Sequence, residues 1–283
     1  MLKNILFSLL VLGFNTALPT SATGMESILG SDSPYLEMCK KASKNSFYFH
    51  FFRSFPEYAH ALELTIGEPF AQYIVESAPD LFSRIEEFRE LDSLGNPAVR
   101  DYPAVGSFSA TTLRYIVIAD HIRQLFELPE HPKIVEVGAG FGGQCFVLSK
   151  LYDWEKYYIY DLPEVSQLIG KVMDHFSIEN VELLGTDKNL PGEQADLFIS
   201  NYAFSEMSRE TQLDYFYRVL VHVDRGYVIY NQISKPVFGI DSLTPREFYK
   251  LLEQNDMNPS MEEEPISTSP DNLLVSWNRR ASS

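Results

Sequence analysis

The sequence predicts an α/β fold: a mostly parallel sheet with helices on both faces, closed by an antiparallel strand pair, behind an N-terminal helical cap. Three observations predict it. From residue 133 onward, short β-branched or aromatic runs alternate with segments of helical period, the pattern of strands joined by crossover helices. A glycine cluster, Gly138-Ala139-Gly140-Phe141-Gly142-Gly143, separates the first strand from the first helix of that series. Before residue 110 the chain is rich in aromatic residues, is broken by Pro56, Pro69 and Pro79, and reads as helical.

The elements follow in order. In residues 1–24, Lys3 precedes an apolar run from Ile5 to Phe14, and Thr20 and Ala22 supply small residues at a cleavage position. These are the parts of a secretory signal; the other reading is a start upstream of a true one at Met25. Residues 25–128 form the cap region. Phe47, Tyr48, Phe49, Phe51, Phe52 and Phe55 crowd one stretch, and Ser93-Leu94-Gly95-Asn96-Pro97 reads as a turn. Residues 111–128 are apolar almost all round, which predicts a largely buried helix.

Residues 129–283 carry the sheet domain. Strands are predicted at Lys133–Val137, Tyr157–Tyr160, Val181–Leu184, Leu197–Ser200 and Tyr227–Tyr230. Helices are predicted at Gly142–Leu151, Glu164–Phe176 and residues 208–222. The second of these has Val165, Leu168, Ile169, Val172, Met173 and Phe176 on one face. Thr244-Pro245-Arg246-Glu247 opens another helix, with Thr as N-cap, Pro at the first position and Glu at the third. Segments near Pro259–Glu264 and Asn272–Trp277 read as the closing strand pair.

Composition narrows the function. The chain has 283 residues, 45% of them hydrophobic, enough for one large domain or two small ones with a full core. A formal net charge of -16 argues against a general nucleic-acid binder, because such a surface repels phosphate backbones. Cys39 and Cys145 are the only cysteines, too few for a disulfide framework or a cysteine zinc site. No His and carboxylate set has metal-ligand spacing, so no metal site is predicted. No apolar run reaches the ~18 residues of a membrane span.

The glycine cluster lets backbone approach a ligand closely and opens a helix whose first N–H groups are free. Gly138, Gly140 and Gly143 also satisfy a literal G-x-G-x-x-G, which permits a dinucleotide. Glu136, two residues before the first glycine, would crowd a pyrophosphate and suits a cationic ligand better, one with an amino group and a sulfonium. Asp161 ends the second strand, 21 residues after Gly140. It can accept hydrogen bonds from ribose hydroxyls, and it can cap the following helix. Gly185-Thr186-Asp187 follows the third strand, at the carboxyl edge of the sheet, where ligands bind in open α/β folds. Asn201 and Tyr202 follow the fourth strand and can contact a sulfonium, while Glu206 can meet an acceptor. Packing in the core is the other reading of Tyr202 and Phe204.

The run from Glu136 through Gly138, Gly140 and Gly142 resembles the first motif of S-adenosylmethionine-dependent methyltransferases with the Rossmann-like fold. The chain is similar more specifically to the sugar O-methyltransferase family. The similarity rests on Ser109–Tyr115, Val135–Cys145, Tyr160–Val165, Ile199–Glu206 and Asn272–Trp277, and spans about residue 35 to 278. Ala110 replaces the family's usual proline, and the final strand ends Trp277-Asn278 where glycine is commoner.

The resemblance implies a Rossmann-like methyltransferase domain that binds S-adenosylmethionine through Glu136, Gly138, Gly140, Gly142, Asp161, Asp187 and Asn201. It implies direct displacement, with an acceptor oxygen attacking the methyl carbon. Glu206 is the first choice of base and Tyr202 lines the acceptor side. His121, His131, His175 and His222 are candidates by residue type alone, and Arg114 and Gln144 can orient the acceptor or the cofactor's carboxylate. The expected partner is a small hydroxylated acceptor, a sugar in the family's name. Two other readings stay open: a nicotinamide-dependent oxidoreductase, and an exported binding protein on a methyltransferase scaffold. The chemistry slightly favours the cytoplasm, where that cofactor is made.

Overall fold

The structure, a computed structural model, describes residues 33–192, 194–232, 236, 239–269 and 271–279. The leader expected in residues 1–24 lies outside them. Seven strands form the main sheet: β3 (Lys133–Val137), β4 (Lys156–Tyr160), β5 (Val181–Leu184), β6 (Ala195–Asn201), β7 (Val223–Tyr230), β8 (Pro259–Glu263) and β9 (Leu273–Asn278). Their order across the sheet is β5-β4-β3-β6-β7-β9-β8. The pairs from β5 through β7 are parallel, and β9 runs antiparallel to both β7 and β8. The expected closing pair is therefore present, with β9 inserted between β7 and β8.

Strand order reverses between β3 and β6. From β3 the chain steps outward to β4 and β5, then returns to lay β6 on the other side of β3. The carboxyl ends of β3 and β6 lie side by side there, at the edge where sheets of this kind bind ligands. Strand alternation sets the faces. Ile134 packs in the core shared with the cap, whereas Val135 and Val137 pack in the core on the opposite face.

The first core joins the sheet to helices α1 (Pro34–Lys44), α2 (Ser46–Phe51), α3 (Pro56–Leu62), α4 (Glu68–Ser77), α5 (Pro79–Ser83), α6 (Ile85–Arg89), α7 (Ala110–Leu125), α8 (Gly143–Ser149) and α9 (Pro163–Phe176). The second lies under α10 (Arg209–Arg218) and α11 (Pro245–Gln254). α7 is buried along nearly its whole length, as its all-round apolar sequence predicts. Thr244 and Glu247 form the expected reciprocal capping box of α11. Among the described residues no helix is long and apolar enough to cross a membrane.

One departure concerns the cap. Residues expected to be helical include a hairpin, β1 (Val99–Tyr102) and β2 (Gly106–Ser109). Val99, Arg100 and Asp101 are exposed, so β1 carries no alternating apolar pattern to reveal it. The hairpin is held instead by Arg89, which donates to the Val105 and Ser107 carbonyls and stacks on Phe108 with its Cζ 4.2 Å from the ring centre.

A buried ion network knits the cap together and touches the glycine loop at Phe141. Arg53 donates to both oxygens of Glu63, at 2.6 and 3.2 Å, and to Asp92 at 3.1 Å. It also donates to Ser109 Oγ and the Leu91 carbonyl, and lies over the Phe141 ring at 4.7 Å. Asp92 in turn accepts from the Ser109 amide and hydroxyl and from Thr112.

Candidate active site

The loop after β3 turns sharply because Gly138 and Gly140 adopt φ of +76° and +64°, a region L side chains rarely enter. Close packing adds a second reason at Gly138: a Cβ there would lie 2.0 Å from the Ala203 Cβ. The loop after β3 and the loop after β6 thus touch at the switch point. One bond laces them: Ser200 Oγ donates to the Val137 carbonyl at 2.9 Å, and the Phe204 amide holds that hydroxyl by donating to it at 3.0 Å. Gly138 N–H donates to the Tyr160 carbonyl at 3.0 Å, which ties the same loop to β4. Gly142 is the N-cap residue of α8. From the cap, Leu62 reaches over Gly140, where an added Cβ would meet its Cδ1 at 3.0 Å.

Asp161 stands at the end of β4 beside this loop. Its Oδ1 accepts the Leu162 N–H at 2.8 Å; Leu162, not Asp161, is the N-cap of α9, and no side chain caps that helix, so the capping role expected of Asp161 is not realised. Its Oδ2 is buried and has no hydrogen-bond partner among the described residues. Burial pushes its carboxyl up to about 7, against the pull of the Leu162, Gly140 and Ala139 N–H groups. A buried acceptor with open valence beside a glycine loop is a place for ligand hydroxyls. Asn201, at the end of β6, likewise has a buried Oδ1 without a partner among the described residues.

Glu136 takes a different place from that expected of a charged contact. Its side chain is 2% exposed, and the Tyr157 hydroxyl donates to its Oε2 at 2.7 Å. Burial raises the carboxyl to about 8, and the Tyr157 bond only partly offsets this. At neutral pH the group is thus mostly uncharged, a brace between β3 and β4 on the cap side of the sheet.

After β6, Tyr202 sits at φ +73°, a strained backbone for a tyrosine. Its hydroxyl donates to Glu264 Oε1 at 2.6 Å and lies 3.2 Å from Thr268 Oγ1. Glu264 was not apparent from the sequence. It is buried and also accepts from the Thr268 amide and from Asn272 Nδ2, at 3.0 and 2.9 Å. Glu206 lies one turn beyond Tyr202, and Asn231 Nδ2 donates to its Oε1 at 2.6 Å. Ser205 steadies Asn231 by donating to Oδ1 and accepting from its amide, each at 3.1 Å. Burial lifts the Glu206 carboxyl to about 7, within reach of proton transfer at neutral pH.

The remaining candidates scatter. Asp187 is exposed beside Lys188, outside this buried group, although Arg218 holds the adjoining Thr186 carbonyl at 3.0 Å. Gln144 is buried, donates to the Tyr115 carbonyl at 3.2 Å and leaves its Oε1 without a partner among the described residues. His131, His175 and His222 are exposed. His121 is buried, 3.3 Å from the Tyr227 hydroxyl, and burial lowers its pKa. Among the described residues no group of three His, Cys, Asp or Glu is placed to hold a metal ion.

No family model matches the chain, and no curated protein does. Among solved structures it is similar to an rRNA methylase from Streptococcus thermophilus, at 17% identity over 57% of this chain and 93% of that one, TM-score 0.43. It is similar to geranyl diphosphate C-methyltransferase from Streptomyces coelicolor A3(2), in complex with S-adenosyl-L-homocysteine, at 12% identity over 60% and 81%, TM-score 0.47. A SAM-dependent methyltransferase from Aquifex aeolicus matches at 18% identity over 70% and 97%, TM-score 0.44. What those proteins bind or act on is a property of those proteins.

Proposed function

We propose that the chain is an S-adenosylmethionine-dependent O-methyltransferase that acts on a small hydroxylated acceptor. The observation that carries this reading is the orphaned, buried Oδ2 of Asp161 beside a glycine loop, at the reversal of strand order. The donor set fits the group: Asp161 can accept from ribose hydroxyls, and Gly138 and Gly140 bring backbone close. Asn201 offers a second open acceptor. When bound, the cofactor supplies an activated methyl group on a sulfonium. Glu206, held by Asn231 and tuned toward 7, would hold the proton that the acceptor hydroxyl loses when the methyl group passes from sulfur to its oxygen. Tyr202 lines the acceptor side, with its hydroxyl committed to Glu264. Leu62 and the cap segment above Gly140 exclude water.

A sugar is the acceptor favoured by the sequence resemblance. Cytoplasmic action belongs with this reading, and a native chain starting at Met25 rather than Thr23, seen by mass spectrometry, would support it. Calorimetric titration with S-adenosylmethionine and with NAD tests the cofactor. Micromolar affinity for the first and none for the second is expected; the reverse result would install the oxidoreductase reading.

A further inference from the structure

Buried polar side chains are normally paired, so a buried hydroxyl without a partner calls for an explanation. Tyr160 and Tyr215 are both 0% exposed, and among the described residues neither hydroxyl has a hydrogen-bond partner. The two rings meet edge to face, with centres 5.8 Å apart and planes at 85°. Asp161, the residue after Tyr160, adds its own orphaned Oδ2. Burial raises the Tyr215 phenol, Arg218 draws it back and Asp161 adds to the rise, so the carboxylate lies within its electrostatic reach. Open hydrogen-bonding valence thus gathers at the end of β4.

Strand alternation sends Tyr160 to the face opposite the cap, where it packs with Val135, Val137 and Tyr215 in the core under α10. Its carbonyl accepts the Gly138 N–H at 3.0 Å, so one residue joins the glycine loop to that core. Arg218, three residues beyond Tyr215 on α10, closes the far side. Its Cζ lies 5.2 Å from the Tyr215 ring centre, and its Nε donates to Asp214 at 2.8 Å. Its other nitrogens donate to the Thr186 carbonyl, at 3.0 Å, and to that of Lys188, which draws the loop after β5 toward the tyrosine pair. Other orphaned groups sit elsewhere. Tyr58 packs among the rings of Tyr35 and Phe52 in the cap, and Tyr102 belongs to the hairpin. Arg114 is bonded to Tyr202 and attracted by Glu264, with only its Nε open.

We infer that Tyr160 and Tyr215 recognise the base of the bound adenosine group, their hydroxyls donating to its ring nitrogens. A phenol suits that task, because its O–H donates to a ring nitrogen that carries a lone pair and no proton. With ribose hydroxyls on Asp161, the base belongs on the side of the sheet where Tyr160, Tyr215 and the loop Gly185–Lys188 meet. Asp187, exposed beside Lys188, leaves the base to the two phenols. The unpaired hydroxyls of the unliganded chain are then groups held ready for a ligand rather than faults of packing. The inference rests on the cofactor reading above for the word adenosine; a nicotinamide dinucleotide would bring the same base.

Calorimetric titration of the full chain with S-adenosylhomocysteine, methylthioadenosine and adenosine reads the base site, and thermal melts of the unliganded chain read its stability. Tyr215→Phe and Tyr160→Phe should each weaken methylthioadenosine about 3–10-fold. The unliganded variants should melt at or above the wild-type temperature, because the deleted hydroxyl had no partner there. Tyr102→Phe removes an equally orphaned hydroxyl from the hairpin and should leave affinity within about twofold. In the wild type, at least one deazaadenosine, with a single ring nitrogen replaced by C–H, should bind about 3–10-fold more weakly than adenosine. That difference should vanish in one of the two Phe variants. Wild-type affinity in both Phe variants overturns the inference and leaves the hydroxyls to buried water. So does a weakening that comes with a lower melting temperature, or wild-type binding of every deazaadenosine equal to that of adenosine. If adenosine binds and the Phe variants weaken it while S-adenosylhomocysteine does not bind, the base site stands and the methyltransferase reading falls. If S-adenosylhomocysteine binds wild type and both Phe variants alike, the methyltransferase reading stands and the inference falls. Absence of binding by all three ligands defeats both.

Discussion

Asp161→Asn preserves the size of a side chain whose surroundings are fixed, and removes its charge and one of its accepting oxygens. In the folded chain, burial holds this carboxyl at about 7, and Oδ2 faces no partner among the described residues. A ligand that donates ribose hydroxyls binds the ionised form, so binding must first remove a proton below pH 7. With a carboxyl at about 7, affinity should fall about tenfold between pH 8 and pH 6. At pH 8 the Asn variant should bind about 10–100-fold more weakly, about 1.5–3 kcal/mol, as for hydrogen bonds to a charged group. Its pH dependence over that range should flatten, because Asn does not titrate. Methylthioadenosine is a suitable calorimetric ligand, since it carries ribose and adenine without an amino acid group of its own to titrate. Wild-type affinity in the variant, or an unchanged pH slope, refutes the ribose role of Asp161.

Three further outcomes are expected. Glu206→Gln should lower turnover at least about tenfold while leaving cofactor affinity within about twofold, and should abolish a rate limb rising through about pH 7; full turnover would leave positioning as the whole mechanism. Glu136 is raised to about 8, so its folded form keeps a proton that the unfolded chain releases above about 4.5. Its stabilising contribution is therefore complete below about 4.5 and lost as pH rises through about 8, and thermal melts should show wild type losing ground to Glu136→Gln between pH 5 and pH 8. Arg53→Met strands Glu63 and Asp92, whose side chains are 9% and 5% exposed, and should cost about 3–5 kcal/mol in urea unfolding; a loss under 1 kcal/mol would show that the network contributes little.

Where the chain's own periodicity dictates structure, the sequence was readable. The alternation from Lys133 onward, the helix ending at Phe176, the capping box at Thr244 and the closing strands all stand at or near their expected places. The glycine loop was legible because backbone at positive φ leaves a glycine signature. What was hidden is set by tertiary contact. The hairpin at Val99–Ser109 has an exposed first strand and is held by a distant arginine, so no local pattern marks it. Glu264 lies 62 residues beyond Tyr202, and only the insertion of β9 between β7 and β8 brings the connecting segment back to it. For Glu136 residue type supplies a carboxyl, but its burial and the bond from Tyr157, 21 residues on, are tertiary features that no local pattern marks.

Gly140 shows how cap and loop can be separated. Two physical reasons require glycine there, and they predict different results. The backbone sits at φ +64°, which costs a residue with a Cβ about 1–2 kcal/mol. A Cβ would also meet Leu62 Cδ1 at 3.0 Å, tighter than ordinary contact. Leu62 adjoins Glu63, which Arg53 pins, so the segment as a whole cannot retreat. The contacted atom, however, is the tip of a flexible side chain and can yield by a few tenths of an ångström. Conformation should therefore dominate. Gly140→Ala should destabilise the chain by about 1–2 kcal/mol, and combining it with Leu62→Ala should leave a coupling energy below about 0.5 kcal/mol. Chemical denaturation of the four members of that cycle measures it. If Leu62→Ala instead restores more than half of what Gly140→Ala loses, contact with the cap is the reason for glycine at 140, and the cap segment constrains the loop directly rather than only covering it.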